Sequence, residues 1–242
     1  MTVRIAAVGD VHVGCDTRGR LASGLRSIAT CADVLLLAGD LTQIGTVEEA
    51  DCLANELADV TVPVVAVLGN HDHHAEESAA VVERLERASV QVLERTTTVV
   101  QVNGTSVGIA GTTGFGGGFA GRCASEFGEP LMKAFVRHSA MLADGLAESL
   151  RGLTSDVRIA LLHYSPVPET LVGEPPEIYP FLGSYLLAEA IDKAGADLVV
   201  HGHAHRGTER GLTPGGVRVR NVAMPVIGAP FRVYELLPTE RR

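Results

Sequence analysis

The sequence predicts an α/β fold built on a parallel sheet, and three features predict it. Short β-branched runs alternate with helical patterns through the first third of the chain. Several apolar runs stop at an Asp, Asn or His, and the ends of strands are where such sheets build sites. Of the 242 residues, 46% are hydrophobic and 20% charged, the balance of a soluble chain able to bury a sizeable core.

Val3 to Val8 reads as the first strand, followed by a helix near Arg18 to Thr30. Val34 to Leu37 is the second strand, a helix spans Val47 to Ala58, and Val62 to Leu68 is the third strand. This βαβαβ order predicts parallel strands, because each helical crossover returns the chain to the end of the sheet at which the previous strand began. A helix around Ala75 to Ala88 precedes strands at Val90 to Leu93, Thr97 to Val102 and Ser106 to Ala110. Asn103-Gly104 joins the last two, and this pair suits the positive φ angles of a tight hairpin. Gly111 to Gly128 is glycine-rich, carries Phe115 and Phe119 and lacks periodicity, so it reads as a long loop near a site. A helical pattern over Pro130 to Leu150 leads to the strand Val157 to Leu162, which ends at His163. A proline-rich loop, Ser165 to Pro180, precedes a helix at Ser184 to Ala194 and a strand at Leu198 to Val200. Strands near Val217 to Val222 and Phe231 to Leu236 close the chain.

The chemistry-bearing fragments run from Asp10 to His205, so the expectation is one domain over residues 1–242. A formal charge of −9 repels a polyanion, which argues against long DNA or RNA as a partner. Cys15, Cys31, Cys52 and Cys123 are scattered without a CxxC pair and read as reduced thiols. The first strand begins too early to leave room for a removable leader, and no apolar run is long enough for a bilayer. The expectation is a cytoplasmic protein with no membrane partner, for which monomer and homodimer are equally acceptable.

Five fragments carry the function: Gly9 to His12 (GDVH), Gly39-Asp40, Gly69 to Asp72 (GNHD), the single His163, and Gly202 to His205 (GHAH). Taken singly, each has an ordinary explanation. An Asp at a strand-to-loop junction makes turns, an Asn tolerates left-handed backbone, and a His can sit satisfied at the edge of a core. Together they rank differently, because order, spacing by βα units and donor chemistry agree at once. Of nine histidines, His12, His71, His163, His203 and His205 fall in these fragments, a concentration that packing does not require.

In these motifs the chain resembles the calcineurin-like metallophosphoesterase superfamily, whose pattern is DxH, GD, GNH followed by an acid, a single His, and GHxH. The resemblance runs from Gly9 to His205 and implies a four-layer α/β/β/α sandwich of two mixed sheets with helices outside. It further implies that Asp10, His12, Asp40 and His205 hold one metal while Asp40, Asn70, His163 and His203 hold another, with Asp40 bridging. Nitrogen and oxygen ligands without thiolate suit two divalent transition-metal ions from among Mn, Fe, Zn and Ni. The activity implied is hydrolysis of small phosphate mono-, di- or cyclic esters by a hydroxide held between the ions. A catalytically silent scaffold and a nuclease are the alternatives.

The resemblance assigns His71 the role of general acid. Many relatives support that histidine with an acid three residues past the bridging Asp, whereas this chain has Gln43. Asp72 could assist His71 or cap the following helix. His201 is expected to turn away from the site, and His73 and His74 to start a solvated helix. Cys15 reads as a small packed loop residue, and Arg122 and Arg206 as surface charges within reach of a phosphate.

Overall fold

A computed structural model of the chain describes residues 2–238. The strands are β1 (Val3–Val8), β2 (Val34–Ala38), β3 (Val64–Val67), β4 (Val90–Val92), β5 (Thr96–Val102), β6 (Thr105–Thr112), β7 (Gly118–Phe119), β8 (Arg122–Cys123), β9 (Val157–Leu162), β10 (Leu198–His201), β11 (Arg210–Leu212), β12 (Arg218–Asn221) and β13 (Arg232–Leu236). The helices are α1 (Arg20–Leu25), α2 (Ile28–Cys31), α3 (Val47–Glu56), α4 (Ser78–Arg87), α5 (Pro130–Gly152), α6 (Tyr179–Leu182), α7 (Tyr185–Ala194) and α8 (Met224–Ile227).

Two mixed sheets pack face to face. The first has the order β13-β1-β2-β3-β4 and the second β11-β12-β10-β9-β6-β5. β1 to β4 run parallel and β13 closes the edge antiparallel to β1. In the second sheet β6, β9, β10 and β12 are parallel, with β5 and β11 antiparallel at the edges. Alternation along β9 shows how the layers form. Ile159 and Leu161 join the core between the sheets, whereas Ala160 and Leu162 face Leu146, Leu150, Leu187 and Ile191 of α5 and α7. A strand buried on both faces must be apolar throughout, as the Val157–Leu162 sequence nearly is. Leu53 of α3 with Val81 and Leu85 of α4 cover the first sheet, completing the α/β/β/α layers.

Most boundaries follow the pattern in the sequence, and Asn103 and Gly104 take φ angles of 49° and 82° in the β5–β6 turn. The helix expected at Arg18 to Thr30 is instead two short pieces, α1 and α2. The first, too short to be stable alone, is held from outside: buried Glu56 of α3 accepts from the N–H groups of Gly19, Leu21 and Ala22. The fourth helix starts at Ser78 rather than Ala75, after a 3₁₀ turn over His71–His73. The loop Gly111 to Gly128 contains the β7–β8 hairpin, and Ser165 to Pro180 contains 3₁₀ turns at Pro168–Leu171 and Pro176–Ile178. β11 and α8 lack a readable period because each is only a few residues long. Among the described residues no helix is long and apolar enough to cross a membrane.

Candidate metal centre

The five fragments lie just past the carboxyl ends of β1, β2, β3, β9 and β10. Backbone bonds lock these ends together: Asp10 N–H donates to the Gly39 carbonyl, His12 N–H to Asp40, and Gly202 N–H to His163. Gly39 has φ of 80°, and a Cβ there would collide with the His163 ring. At Gly69 a Cβ would overlap Asp40 Oδ1. The glycines ahead of Asp40 and Asn70 are therefore a condition for bringing donors from different strands within reach of one another. Gly69→Ala is expected to cost about 1–3 kcal/mol in a denaturant melt. Metal content should fall with it; a variant as stable and as metal-rich as the parent would contradict the crowding.

Donor atoms of Asp10, His12, Asp40 and His205 all lie within 4.8 Å of one another, as do those of Asp40, His163 and His203. Asp40 belongs to both groups. Asn70 joins the second through Oδ1, 2.9 Å from His163 Nε2. All seven sequence-derived donors are thus brought together in two clusters that share one carboxylate. Asp10, His12, Asp40 and His203 also have φ between 42° and 70°, left-handed backbone that residues other than glycine rarely adopt. Such strain persists only where the surroundings impose it, and it concentrates at functional sites.

Hydrogen bonds decide which atoms face inward. His163 Nδ1 donates to the Ala38 carbonyl at 2.9 Å, so Nε2 keeps its lone pair. That lone pair stands 2.9 Å from Asn70 Oδ1 and 3.3 Å from Asp40 Oδ1. Three electron-rich atoms meet with no proton between them, which is the environment a cation satisfies. Burial lowers the His163 pKa to about 3 and that of His203 to about 3, keeping both rings neutral. His203 Nε2 faces the Phe181 carbonyl at 3.3 Å, leaving Nδ1 as its lone-pair atom.

In the other cluster burial pushes the Asp10 carboxyl up to about 6, against a 2.8 Å hydrogen bond from His205 Nε2. The same bond raises the His205 pKa, while burial lowers that of His12. His12 Nε2 lies 3.5 Å from His205 Nε2 and 3.8 Å from Asp40 Oδ2. The donor set fits divalent metal: each cluster offers imidazole nitrogen and carboxylate oxygen, the second adds an amide oxygen, and neither contains a thiol.

Residues around the clusters depart from the sequence reading in instructive ways. His71 is held by the backbone: Nδ1 donates to the Gln43 carbonyl at 2.8 Å, and its N–H donates to Asp40 Oδ1 at 2.8 Å. Nε2 then points inward, 4.0 Å from Asp40 Oδ2. Support for this ring comes from the main chain of Gln43, where a side chain was sought. Asp72 neither assists His71 nor caps a helix. Its carboxylate, fully buried, accepts from Leu41 N, Thr42 N, Thr42 Oγ1 and Gly69 N.

His201 turns away as expected, its Nδ1 on the Gly202 carbonyl and its Nε2 2.9 Å from Thr170 Oγ1. His73 and His74 are exposed. Arg122 and Arg206 are also exposed and form no side-chain ion pair among the described residues. Cys15 is exposed rather than packed, and its sulfur lies 3.3 Å from that of buried Cys52, joining the loop after His12 to α3. Tyr164 was missed by sequence reasoning, although its ring lies 4.3 Å from that of His203. Its place directly after His163 was the available signal.

The family profile described as calcineurin-like phosphoesterase matches residues 3–207, which include every donor and His71. No curated protein matches the chain. Among solved structures, the phosphopantetheinyl hydrolase of Mycobacterium tuberculosis is 17% identical with a TM-score of 0.71, over 98% of this chain and 96% of that one. The NAD nucleotidase of Haemophilus influenzae is 15% identical with a TM-score of 0.54, over 91% of this chain and 45% of that one. GAP50, the anchor in the inner membrane complex of Plasmodium, is 14% identical with a TM-score of 0.54, over 93% and 72%. At these identities the likeness is one of fold.

Proposed function

The chain belongs to the calcineurin-like phosphoesterase family, and from that premise we propose that it is a binuclear metal-dependent hydrolase of small phosphate mono-, di- or cyclic esters. The observation that carries the reading is the sharing of Asp40 between two donor clusters. Two divalent ions, when bound, supply an activated water at neutral pH and a clamp on the attacking and leaving oxygens of an in-line displacement. Asp10, His12, Asp40 and His205 would hold one of them, and Asp40, Asn70, His163 and His203 the other. A carboxylate common to both clusters would offset the mutual repulsion of two cations, a role that an acid at position 40 can fill and a neutral side chain cannot.

His71 is proposed as the general acid toward the leaving oxygen. With Nδ1–H committed to the Gln43 carbonyl, the proton to be transferred sits on Nε2, the nitrogen that faces the centre. His71→Gln is therefore expected to lower kcat about 10²–10⁴-fold while metal content stays at the parent value. Steady-state rates and metal analysis on one preparation check this; an undiminished kcat would remove His71 from the mechanism. The same fold could act as one domain in a monomer or a homodimer, in the cytoplasm and without a membrane or long nucleic acid as partner.

The test of the whole reading is a rate panel with manganese present, comparing a monoester, an open diester, cyclic nucleotides and a dinucleoside polyphosphate. Hydrolysis of at least one, dependent on metal, is expected. Two bound equivalents of metal with no turnover on any of them would favour a scaffold instead.

A further inference from the structure

A cavity of about 470 Å³ adjoins the second donor cluster, with Asn70, Arg95, Phe115, Met141, Leu142 and Tyr164 in its wall. That volume falls within the range of small-molecule sites. Asn70 is one of the proposed metal donors, so whatever fills the cavity lies next to the phosphoryl group. Phe115 and Tyr164 contribute aromatic rings to a wall that Met141 and Leu142 complete with aliphatic surface. The Phe115 ring lies 4.8 Å from that of His138, edge to face, and 5.8 Å from that of Tyr164. Tyr164 is 8% exposed, and its hydroxyl has no hydrogen-bond partner among the described residues. Glu94, also in the wall, is committed to Thr112 Oγ1 and the Thr113 N–H. Arg95 has no acidic partner among the described residues and remains available to lie over a ring.

We propose that this cavity takes the organic part of the substrate as a flat aromatic ring, of the nucleobase kind, beside the phosphoryl group. The inference rests on the phosphoesterase reading above and narrows its substrate class. A rigid ring offers its face or edge to Phe115 and Tyr164 in the arrangements aromatic pairs prefer. It also loses little conformational freedom on binding, unlike an alkyl chain. The unpartnered Tyr164 hydroxyl gives the ring's polar edge a hydrogen bond.

The test compares adenosine 5′-phosphate with ribose 5-phosphate, and the methyl diesters of each, on metal-loaded protein. Within each pair the leaving groups match and only the ring differs. A kcat/KM ratio of about tenfold or more in favour of the ring-bearing ester is expected. Phe115→Leu, which keeps apolar bulk without a π-face, and Met141→Trp, which fills the cavity, should each reduce that ratio several-fold. Hydrolysis with ratios near one in the parent would overturn the cavity assignment and leave the phosphoesterase reading intact. Bound metal with no hydrolysis of either pair counts against the reading itself. In that event calorimetric titration with the same compounds decides the cavity: equal Kd values for the two members of a pair overturn it.

Discussion

Asp40→Asn is expected to reduce turnover by at least about 10³-fold, equivalent to about 4 kcal/mol of transition-state stabilisation. The substitution removes a charge and little else. Asparagine tolerates the φ of 49° found at this position, and its amide oxygen can still accept from the His71 N–H. What disappears is the only anion common to both donor clusters, with a side chain just 2% exposed. Each cluster keeps its imidazoles but loses its shared counter-charge, so bound metal should drop below two equivalents as turnover falls. Elemental analysis and rates on one preparation read both, with circular dichroism to verify folding. His163→Ala should act in the same direction through the second cluster alone. A folded Asp40→Asn protein with two metal equivalents and parental rates would sink the shared-ligand arrangement.

Asp72→Ala is expected to give the largest loss of stability, about 3–5 kcal/mol, seen as a fall in Tm of about 10 °C. The carboxylate accepts from Leu41, Thr42 and Gly69 at 2.6–3.1 Å and has no exposed surface. Alanine would leave four buried donors without an acceptor. Burial raises the Asp72 pKa, and the donors of Thr42, Gly69 and Leu41 oppose that rise. The residue also has a positional effect. Leu41 and Thr42 directly follow Asp40, and Gly69 directly precedes Asn70, so the carboxylate fixes the spacing of two proposed donors. Metal affinity should consequently weaken about 10–100-fold, as when groups that orient ligands are removed. Asp72→Asn, which keeps one acceptor oxygen, should fall between the parent and the alanine variant. Thermal melts of the metal-free proteins separate stability from metal binding; a Tm within 2 °C of the parent value would be too small for the loss of such a clamp.

The layers were legible because β9 and β10 read as apolar runs buried on both faces, and α3, α4, α5 and α7 carry a helical period long enough to recognise. The donors were legible because each stands at the end of such a run, and a glycine precedes Asp10, Asp40, Asn70 and His203. Short elements were not. α1 depends on Glu56, which is 35 residues from Leu21, and local pattern cannot register a cap that distant. Asp72 was misread for a related reason. Beside His71 and ahead of a helix it has two plausible local partners, yet its acceptors serve residues at the end of the neighbouring strand. Cys15 and Cys52 meet only because α3 packs beneath the loop after β1.

By itself the sequence determined the α/β class, the strand ends where the candidate donors stand and the chemical identity of the seven proposed donors, since these depend on residue type and short-range period. Tertiary structure alone decided which imidazole nitrogen faces inward, which main-chain carbonyl holds His71, and that a cavity with Phe115 and Tyr164 in its wall adjoins Asn70. Those features are set by distances between atoms far apart in the chain, and a one-dimensional pattern contains no information about which of many possible partners comes within 3 Å.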